Sequence, residues 1–414
     1  MKRKMVYLVC KSKVMENLGI MYLSSIIKVG GHYCKILSLP EAIRNCRALR
    51  RADFVGMSVM TGDLARFRYL GAEIKKAARP PVIAVGGPDP TFFPDGYGWA
   101  DHVVKGEAEA WVAEYFGVKV VLDNLDHIPW PDRTDFPGMK IRDFISSRGC
   151  PFNCAYCYNE RWFRMFPGQR VRYRGFGDVV AEIKSVNPQF AYFQDSCFGV
   201  SMKWLKNFAE TYKYTVGTPY HCHLRPVQVT EERVVLLHDS NCYSTRIALE
   251  TGSDRLKKLI KRDRTTNKEV LSAAKLLKKW GIKLMIQNML CLPTSGIEED
   301  LETLEVNVMA QPDYAWSSIF VPYPGTELGD LCITKGWYKG NYGDISDSFF
   351  DKSPLSLISA EYREQTYYLQ KVFALCVAAQ YVPKPEELSA ANFPMLVHKL
   401  MRKVGDTVLY GGVI

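Results

Sequence analysis

Three cysteines lie close together in the chain, at Cys150, Cys154 and Cys157. Cysteine thiolates are the usual protein ligands of iron–sulfur clusters, and three of them leave one iron of a 4Fe–4S cubane open to a small molecule. Zinc is the alternative, but a structural zinc site needs a fourth Cys or His and usually two C-x2-C pairs. The other cysteines show no such pairing. The spacing therefore favours a 4Fe–4S cluster.

Acidic, basic and imidazole side chains end three other apolar runs of the chain. These residues are Asp195, Arg225 and Glu250, with His221 and His223 close before Arg225. An acidic residue at a strand end is more often solvated or capping a helix. We interpret Asp195, Glu250 and Arg225 as catalytic candidates because strand ends of a barrel meet at one mouth. For Arg225 and the two histidines, a ligand or substrate role and a satisfied structural role remain equally open.

Short apolar runs alternate with helical patterns over residues 1–125. This alternation predicts βαβ units and a parallel, doubly wound sheet, with ligands beyond the carboxyl ends of its strands. The predicted helices are Leu18–Val29 and Leu64–Ala78. The predicted strands are Lys4–Cys10, Tyr33–Leu39, Phe54–Val59, Val82–Val85 and His102–Val104.

A second series of strands and helices follows a proline-containing linker at Leu125–Pro137. It predicts a six-stranded (β/α) partial TIM barrel over residues 126–330, with its chemistry at the carboxyl-end loops. The predicted strands are Lys140–Ser146, Phe190–Gln194, Tyr220–Leu224, Ser244–Leu249, Leu284–Leu290 and Tyr314–Phe320. The predicted helices are Asp178–Val186, Met202–Tyr212, Glu231–Asp239, Asn267–Trp280 and Ile297–Met309.

Residues 331–414 predict a short helical C-terminal region, with helices at Ala360–Tyr381 and Leu388–Lys403. The fold class is therefore α/β, with a Rossmann-like N-terminal domain, a partial barrel and this third region.

The barrel resembles the radical S-adenosylmethionine (AdoMet) superfamily. The resemblance rests on the three-cysteine motif with Tyr156 inside it, and on four later segments. These segments are Phe193–Ser196, Arg246–Ser253, Leu290–Pro293 and Pro322–Thr326. It implies that the open iron binds AdoMet and that the cluster cleaves AdoMet to a 5′-deoxyadenosyl radical. It also implies that Tyr156, Asp195, Glu250 and Ser253 bind or adjoin AdoMet.

The N-terminal domain resembles the cobalamin-binding domains that are fused to such barrels. The resemblance rests on Leu18-Gly19, Ser58, Gly86-Gly87 and Glu107, with glycines that let a ligand approach the backbone. Many cobalamin domains place a histidine below the cobalt, but Lys11–Gly19 contains none. We expect cobalamin to bind at the carboxyl ends of the first sheet, facing the barrel mouth, without a histidine ligand. Loss of cobalamin is the alternative.

Together the two resemblances imply a cobalamin-dependent radical AdoMet C-methyltransferase that acts on an unactivated sp3 carbon. The short C-terminal region favours a protein or peptide substrate. In compactness the chain resembles the glutamine C-methyltransferases that modify methyl-coenzyme M reductase. A ferredoxin or flavodoxin would supply electrons. The alternatives are a natural-product methylase, a radical cyclase of the same architecture, and a non-catalytic cobalamin- or RNA-binding protein.

Composition and charge limit the compartment and the partners that we expect for this protein. The 414 residues carry a formal charge of +10 but no long basic run, so a moderately basic surface is favoured and a nucleic-acid partner is unlikely. Twelve cysteines without a secretory signal favour a reducing, cytoplasmic setting. No apolar stretch reaches the roughly 20 residues that span a bilayer, so we expect no membrane association.

Overall fold

The computed structural model describes residues 2–119, 124–340, 345 and 348–405. The chain divides into two compact units. The first unit consists of Met1–Ile145 and Arg172–Ala191, and the second of Ser146–Val171 and Tyr192–Ile414. The predicted domain boundaries at 125/126 and 330/331 stay predictions.

The first unit contains a parallel five-stranded sheet in the order β2-β1-β3-β4-β5. Its strands are apolar runs because both faces are covered, as in doubly wound folds. One core contains Val6, Leu8 and Ile36, and the other contains Val9, Val55 and Ile83. The strands are β1 Met5–Cys10, β2 Tyr33–Ser38, β3 Phe54–Ser58, β4 Val82–Gly86 and β5 His102–Val103. The helices are α1 Leu18–Val29, α2 Leu39–Arg44, α3 Cys46–Leu49, α4 Leu64–Lys75, α5 Pro88–Phe92 and α6 Glu109–Phe116.

The second sheet has six strands in the order β13-β12-β11-β10-β9-β6. Strands β10 to β13 run parallel to one another. A separate two-stranded sheet joins β7 and β8. The strands are β6 Ile141–Phe144, β7 Ser147–Gly149, β8 Val171–Tyr173, β9 Phe190–Phe193, β10 Tyr220–His223, β11 Cys242–Glu250, β12 Lys283–Leu290 and β13 Tyr314–Ile319. The helices are α7 Tyr158–Met165, α8 Phe176–Val186, α9 Met202–Thr215, α10 Glu231–Asp239, α11 Asp254–Leu259, α12 Asn267–Lys279, α13 Ile297–Ala310 and α14 Glu327–Thr334.

Two further helices, α15 Ala360–Ala378 and α16 Phe393–Val404, follow the barrel elements. Leu369, Val372 and Phe373 of α15 are buried in one core with Ile319 of β13 and Leu304 of α13. The C-terminal helices therefore thicken the wall of the second unit beside its last strand. Within the described part of the chain, no helix combines the length and apolar character needed to cross a bilayer.

The predicted α/β class is confirmed, and every predicted strand is present within a few residues. The C-terminal helices are shorter than predicted. The first ends at Ala378, because Gln380 has a left-handed φ of 50°, and the second begins only at Phe393, after Asn392. Leu388 is instead a buried residue after a short 3-10 turn at Pro385–Glu387. Residues 341–344, 346–347 and 406–414 of the predicted C-terminal region lie outside the described residues.

Candidate functional site: a cysteine loop, its buried charges and the first sheet

The three cysteines lie on a loop that begins directly after β7 and ends at α7. Gly149, the last residue of β7, has a φ of 98°, and a side chain there would collide with the backbone carbonyl of Arg170. Only glycine therefore fits without strain immediately before Cys150. Cys157 is the N-cap of α7, and its backbone N–H donates to the Cys154 carbonyl at 3.1 Å. The loop thus turns tightly between its second and third cysteines.

The backbone of Ala155 fixes this loop from both sides. Its N–H donates to the Ile260 carbonyl at 3.1 Å, and its carbonyl accepts from the Leu328 N–H at 2.8 Å. Ile260 follows α11, and Leu328 lies in α14. Two elements distant in sequence therefore hold the motif, in agreement with the expectation that strand-end loops meet at one mouth.

The thiols of the loop resist ionisation when no metal is bound. Burial raises the pKa of Cys150 and raises that of Cys157 to about 11, and the neighbouring thiols add to both shifts. Thiols that resist ionisation alone are stabilised as thiolates by metal binding. Among the described residues, no three His, Cys, Asp or Glu side chains converge as ligands of one ion.

Tyr156, Glu250 and Arg262 form a buried polar network beside the cysteines. The Tyr156 hydroxyl donates to the Glu250 carboxylate at 2.6 Å and accepts from Arg262 Nη1 at 3.1 Å. Arg262 Nη1 also lies 3.6 Å from Glu250 Oε1 and 3.9 Å from Cys154 Sγ. Burial alone would lower the pKa of Arg262, but Tyr156, Glu250 and Cys154 outweigh it and raise this pKa. The network places a carboxylate and a permanent cation at the cysteine loop.

Glu250 has a strained backbone at the end of β11. Its φ of 67° is left-handed, and the register with β12 shifts between Ala248 and Glu250. A non-glycine residue in this region costs about 1–3 kcal/mol and is found most often at functional sites. The strain accompanies a carboxylate that turns toward Tyr156, as expected for a binding residue rather than a solvated strand end.

Asp195 is completely buried and accepts several hydrogen bonds within the second unit. Its donors are the Ser146 N–H at 3.0 Å, the Ser146 hydroxyl at 2.6 Å and the Ser147 hydroxyl at 2.5 Å. Burial raises its pKa, although these donors oppose the shift. Asp195 thus holds the start of β7, the strand that leads to Cys150. Its predicted contact with AdoMet and its catalytic role stay predictions.

Two other predicted residues have clear structural partners. Ser253 caps α11, accepting from the Leu256 N–H at 3.4 Å and donating to Glu299 at 2.8 Å. Its predicted role at AdoMet stays a prediction. Arg225 lies at the cysteine loop, with Nη1 3.1 Å from Cys154 Sγ and its guanidinium 4.0 Å from the centre of the Phe152 ring.

The two histidines of β10 belong to a second buried polar cluster. His223 contacts the Asp195 carbonyl and the Tyr192 hydroxyl, each at 3.1 Å, and Arg246 Nη2 at 3.0 Å. His221 contacts the Ser244 hydroxyl at 2.8 Å. Burial and the charge of Arg246 lower the pKa of His223 and lower that of His221 to about 3, so both rings are neutral at pH 7.

The predicted cobalamin residues lie at the carboxyl ends of the first sheet. Ser58 ends β3, and Gly86 ends β4 and pairs with it in register. Gly87 has a φ of 100°, and a side chain there would come within 2.9 Å of the Val59 carbonyl oxygen. Leu18 and Gly19 begin α1, which Asn17 caps. These residues therefore lie at the edge where doubly wound sheets bind ligands.

Glu107 forms an ion pair with Arg172 within the first unit. The pair is partly exposed, so the role of Glu107 at a ligand stays a prediction.

Near the carboxyl edge of the first sheet, Val14, Met15 and Met60 have exposed fractions of 83%, 56% and 46%. Exposed apolar side chains at a ligand edge suit a large, mostly apolar cofactor face better than water. The residues present therefore fit cobalamin.

The sequence interpretation missed Arg262 and Tyr192, and it named Arg246 only as the start of a matched segment. Arg262 lies in a run of basic residues whose other members are mostly exposed, so no pattern distinguishes it. Arg246 lies four residues before Glu250 on β11. Side chains an even number of residues apart share one face of a regular strand, and this spacing was the signal that could have identified Arg246.

Comparisons with known proteins agree with both halves of this description. Residues 5–116 match the B12 binding domain family, and residues 144–306 match the Radical SAM superfamily. An uncharacterized methyltransferase of Pyrococcus horikoshii is 24% identical over 377 residues, covering 78% of this chain and 81% of that protein.

Solved structures share the fold over most of the chain. The radical AdoMet methyltransferase TsrM from Kitasatospora setae, with cobalamin and a [4Fe-4S] cluster bound, has a TM-score of 0.62 at 15% identity. The match covers 89% of this chain and 85% of TsrM. The cobalamin-dependent AdoMet radical enzyme OxsB, with aqua-cobalamin and AdoMet bound, has a TM-score of 0.58 at 16% identity, covering 97% of this chain and 61% of OxsB.

Both domain matches agree with the cysteine loop and with the carboxyl edge of the first sheet. The cofactors that these domains imply are a 4Fe–4S cluster, AdoMet and cobalamin. The chain therefore carries a B12 binding domain at residues 5–116, followed by a radical AdoMet domain at residues 144–306.

Proposed function

We propose that this enzyme transfers a methyl group to an unactivated sp3 carbon of a protein or peptide side chain. The observation that carries the proposal is the network of Tyr156, Glu250 and Arg262 at a cysteine loop, in a chain that also has a B12-binding domain. When bound, the cluster and AdoMet supply a hydrogen-abstracting radical, and cobalamin supplies the methyl group.

The chain's own residues bind and orient in this proposal. Glu250 offers its carboxylate to the cationic amino group of AdoMet, and Arg262 offers its guanidinium to the carboxylate of the same molecule. Both side chains are buried, with exposed fractions of 11% and 3%, so water competes little for either contact. Tyr156 fixes the positions of the Glu250 carboxylate and the Arg262 guanidinium because its hydroxyl bonds to both.

A protein or peptide substrate is supported by the position of the C-terminal helices. Buried residues of α15 pack into the core beside β13. This helix is therefore part of the barrel wall and is not available to move over the site as a lid. A site that α15 does not close as a lid suits a side chain presented by a macromolecule. A glutamine side chain, as in methyl-coenzyme M reductase, is the specific candidate that we propose to test first.

A small-molecule substrate is the second candidate. It is favoured by the structural likeness to TsrM, whose structure with tryptophan and an AdoMet analogue bound has a TM-score of 0.65 to this chain over 80% of its length. A small substrate would be turned over as the free compound, whereas a peptide substrate requires residues on both sides of the methylated one.

We further propose that an acidic ferredoxin or flavodoxin docks near the cysteine loop. Lys261 follows Ile260, which holds Ala155, and Arg164 and Arg170 lie just after the loop. Their side chains have exposed fractions of 44%, 61% and 45%. These three cations are paired with two carboxylates, Glu160 and Glu327, so a net positive charge remains. Such a charge attracts an acidic partner and raises the association rate at low salt.

Reversing one of these charges tests the docking proposal. Arg164→Glu should slow cluster reduction by the electron-transfer protein and weaken its salt dependence, while reduction by dithionite stays unchanged. Lys206→Glu, on α9 and 56% exposed, is the matched control. Equal rates for both variants would contradict the proposed surface.

The methylase proposal is tested by measuring both AdoMet products after anaerobic reconstitution with iron, sulfide and cobalamin. We expect 5′-deoxyadenosine that depends on Cys150, Cys154 and Cys157, and S-adenosylhomocysteine that depends on cobalamin. 5′-Deoxyadenosine without cobalamin-dependent S-adenosylhomocysteine would favour the cyclase alternative. Glutamine peptides and free tryptophan, each assayed with deuterated-methyl AdoMet, would then separate the two substrate classes by mass spectrometry.

A further inference from the structure

Cys154 differs from the other two cysteines of the loop in its electrostatic surroundings. Two guanidinium groups reach its sulfur, Arg225 at 3.1 Å and Arg262 at 3.9 Å. Cys154 is also buried, whereas Cys150 and Cys157 are only half-buried. Screening by water is therefore weakest at the sulfur where the positive charge is closest.

Arg225 is held at this sulfur by three groups. Its guanidinium stacks on Phe152, a residue of the cysteine loop itself, and its Nη2 lies 3.3 Å from the Thr265 hydroxyl. Its backbone N–H donates to the Gln228 side chain at 2.9 Å. Phe152 orients the planar guanidinium so that its edge points at Cys154. Arginine stays protonated in proteins, so the charge is permanent.

Arg225 is half-buried and also lacks a carboxylate partner. Its Nε is buried without a hydrogen-bond acceptor, and the described residues include no carboxylate in ion-pair distance of its guanidinium. By contrast, Arg262 shares its charge with Glu250. Where part of a guanidinium is removed from water without a carboxylate, a nearby anion that compensates its charge is favourable. The Cys154 thiolate is the anion that the geometry provides.

We propose that Arg225 raises the reduction potential of the 4Fe–4S cluster through its charged hydrogen bond to Cys154. Reduction adds negative charge to the cluster and its thiolates, and a fixed cation at one sulfur stabilises the reduced form. Hydrogen bonds to cluster sulfurs are among the main determinants of such potentials. Arg225 is thus a tuning residue, which acts through Cys154 and does not itself contact the substrate.

The test is a redox titration of the anaerobically reconstituted full chain without AdoMet, followed by electron paramagnetic resonance of the reduced cluster. Arg225→Gln and Arg225→Met should lower the reduction equilibrium constant about tenfold or more, which is 59 mV for a one-electron couple. Arg225→Lys should recover part of this loss because it keeps the charge. Arg255→Gln is the control, since Arg255 is 56% exposed and already paired with Glu299.

The outcomes separate this inference from the proposed function on which it rests. A wild-type chain that assembles no cluster would refute the proposed function. A wild-type cluster with unchanged potential in Arg225→Gln and Arg225→Met, at equal iron content, would overturn the tuning role. Loss of the cluster from both variants would also overturn it, in favour of a purely structural role.

Discussion

Replacing Glu250 by alanine removes the acceptor of the Tyr156 hydroxyl and the carboxylate beside Arg262. Removing one partner of a buried ion pair costs about 3–5 kcal/mol, and a buried hydrogen bond to a charged group is worth about 1.5–3 kcal/mol. Both terms belong to one carboxylate and are not additive, so we expect about 3 kcal/mol of local destabilisation. Glu250→Gln should cost about 1.5 kcal/mol, because its amide oxygen still accepts from Tyr156.

Hydrogen exchange of the reconstituted protein measures this loss directly in peptides that cover residues 150–165. About 3 kcal/mol corresponds to an increase in exchange of about 100-fold for Glu250→Ala. Equilibrium dialysis should show AdoMet affinity reduced about tenfold or more in both variants. Glu327→Ala is the control, since Glu327 and Lys261 are 38% and 44% exposed and their pair is worth under about 1 kcal/mol. Equal exchange and equal AdoMet affinity in Glu250→Ala and Glu327→Ala would refute the network as the AdoMet site.

Three further predictions concern the loop, the barrel wall and the first sheet. Gly149→Ala should sharply lower the iron content after reconstitution, because its φ of 98° and the adjacent carbonyl exclude a side chain; normal iron content would contradict the loop geometry. Burial raises the pKa of Asp300 to about 7, so the folded state keeps a proton that the unfolded state releases above about pH 4. Its contribution to the free energy of unfolding should therefore be lost as pH rises from about 4 to about 7. In Asp300→Asn, the midpoint temperature of thermal unfolding should change less with pH over this range than in the wild type. Paramagnetic resonance of cob(II)alamin should show no nitrogen splitting from a protein imidazole, since Lys11–Gly19 has no histidine; such splitting would refute the His-off prediction.

Much of the fold could be predicted because its strands are buried on both faces. β1, β3 and β4 are short apolar runs between helical patterns, and this pattern has few other interpretations. By contrast, the sequence prediction contains no helix at α7, an eight-residue helix without a fully buried residue that follows the cysteine motif directly. The pairing of β7 with β8 joins three-residue strands that are too short for any periodicity.

The sequence could predict those parts of the candidate site whose residues are recognisable from their spacing along the chain. The three cysteines and Glu250 follow this rule, since each lies at a strand end or in a compact motif. Arg262 does not, because its function depends on a turn after α11 that buries one arginine among exposed basic residues. The hydrogen bonds of Asp195 to Ser146 likewise depend on tertiary packing that no local pattern encodes.

The central claim is that Cys150, Cys154 and Cys157 hold a 4Fe–4S cluster whose open iron binds AdoMet. Paramagnetic resonance of the dithionite-reduced, anaerobically reconstituted protein tests it most directly. We predict a 4Fe–4S signal that changes shape when AdoMet is added and that is absent from Cys154→Ala. A signal that does not respond to AdoMet, or a protein that retains zinc and assembles no cluster, would contradict the claim.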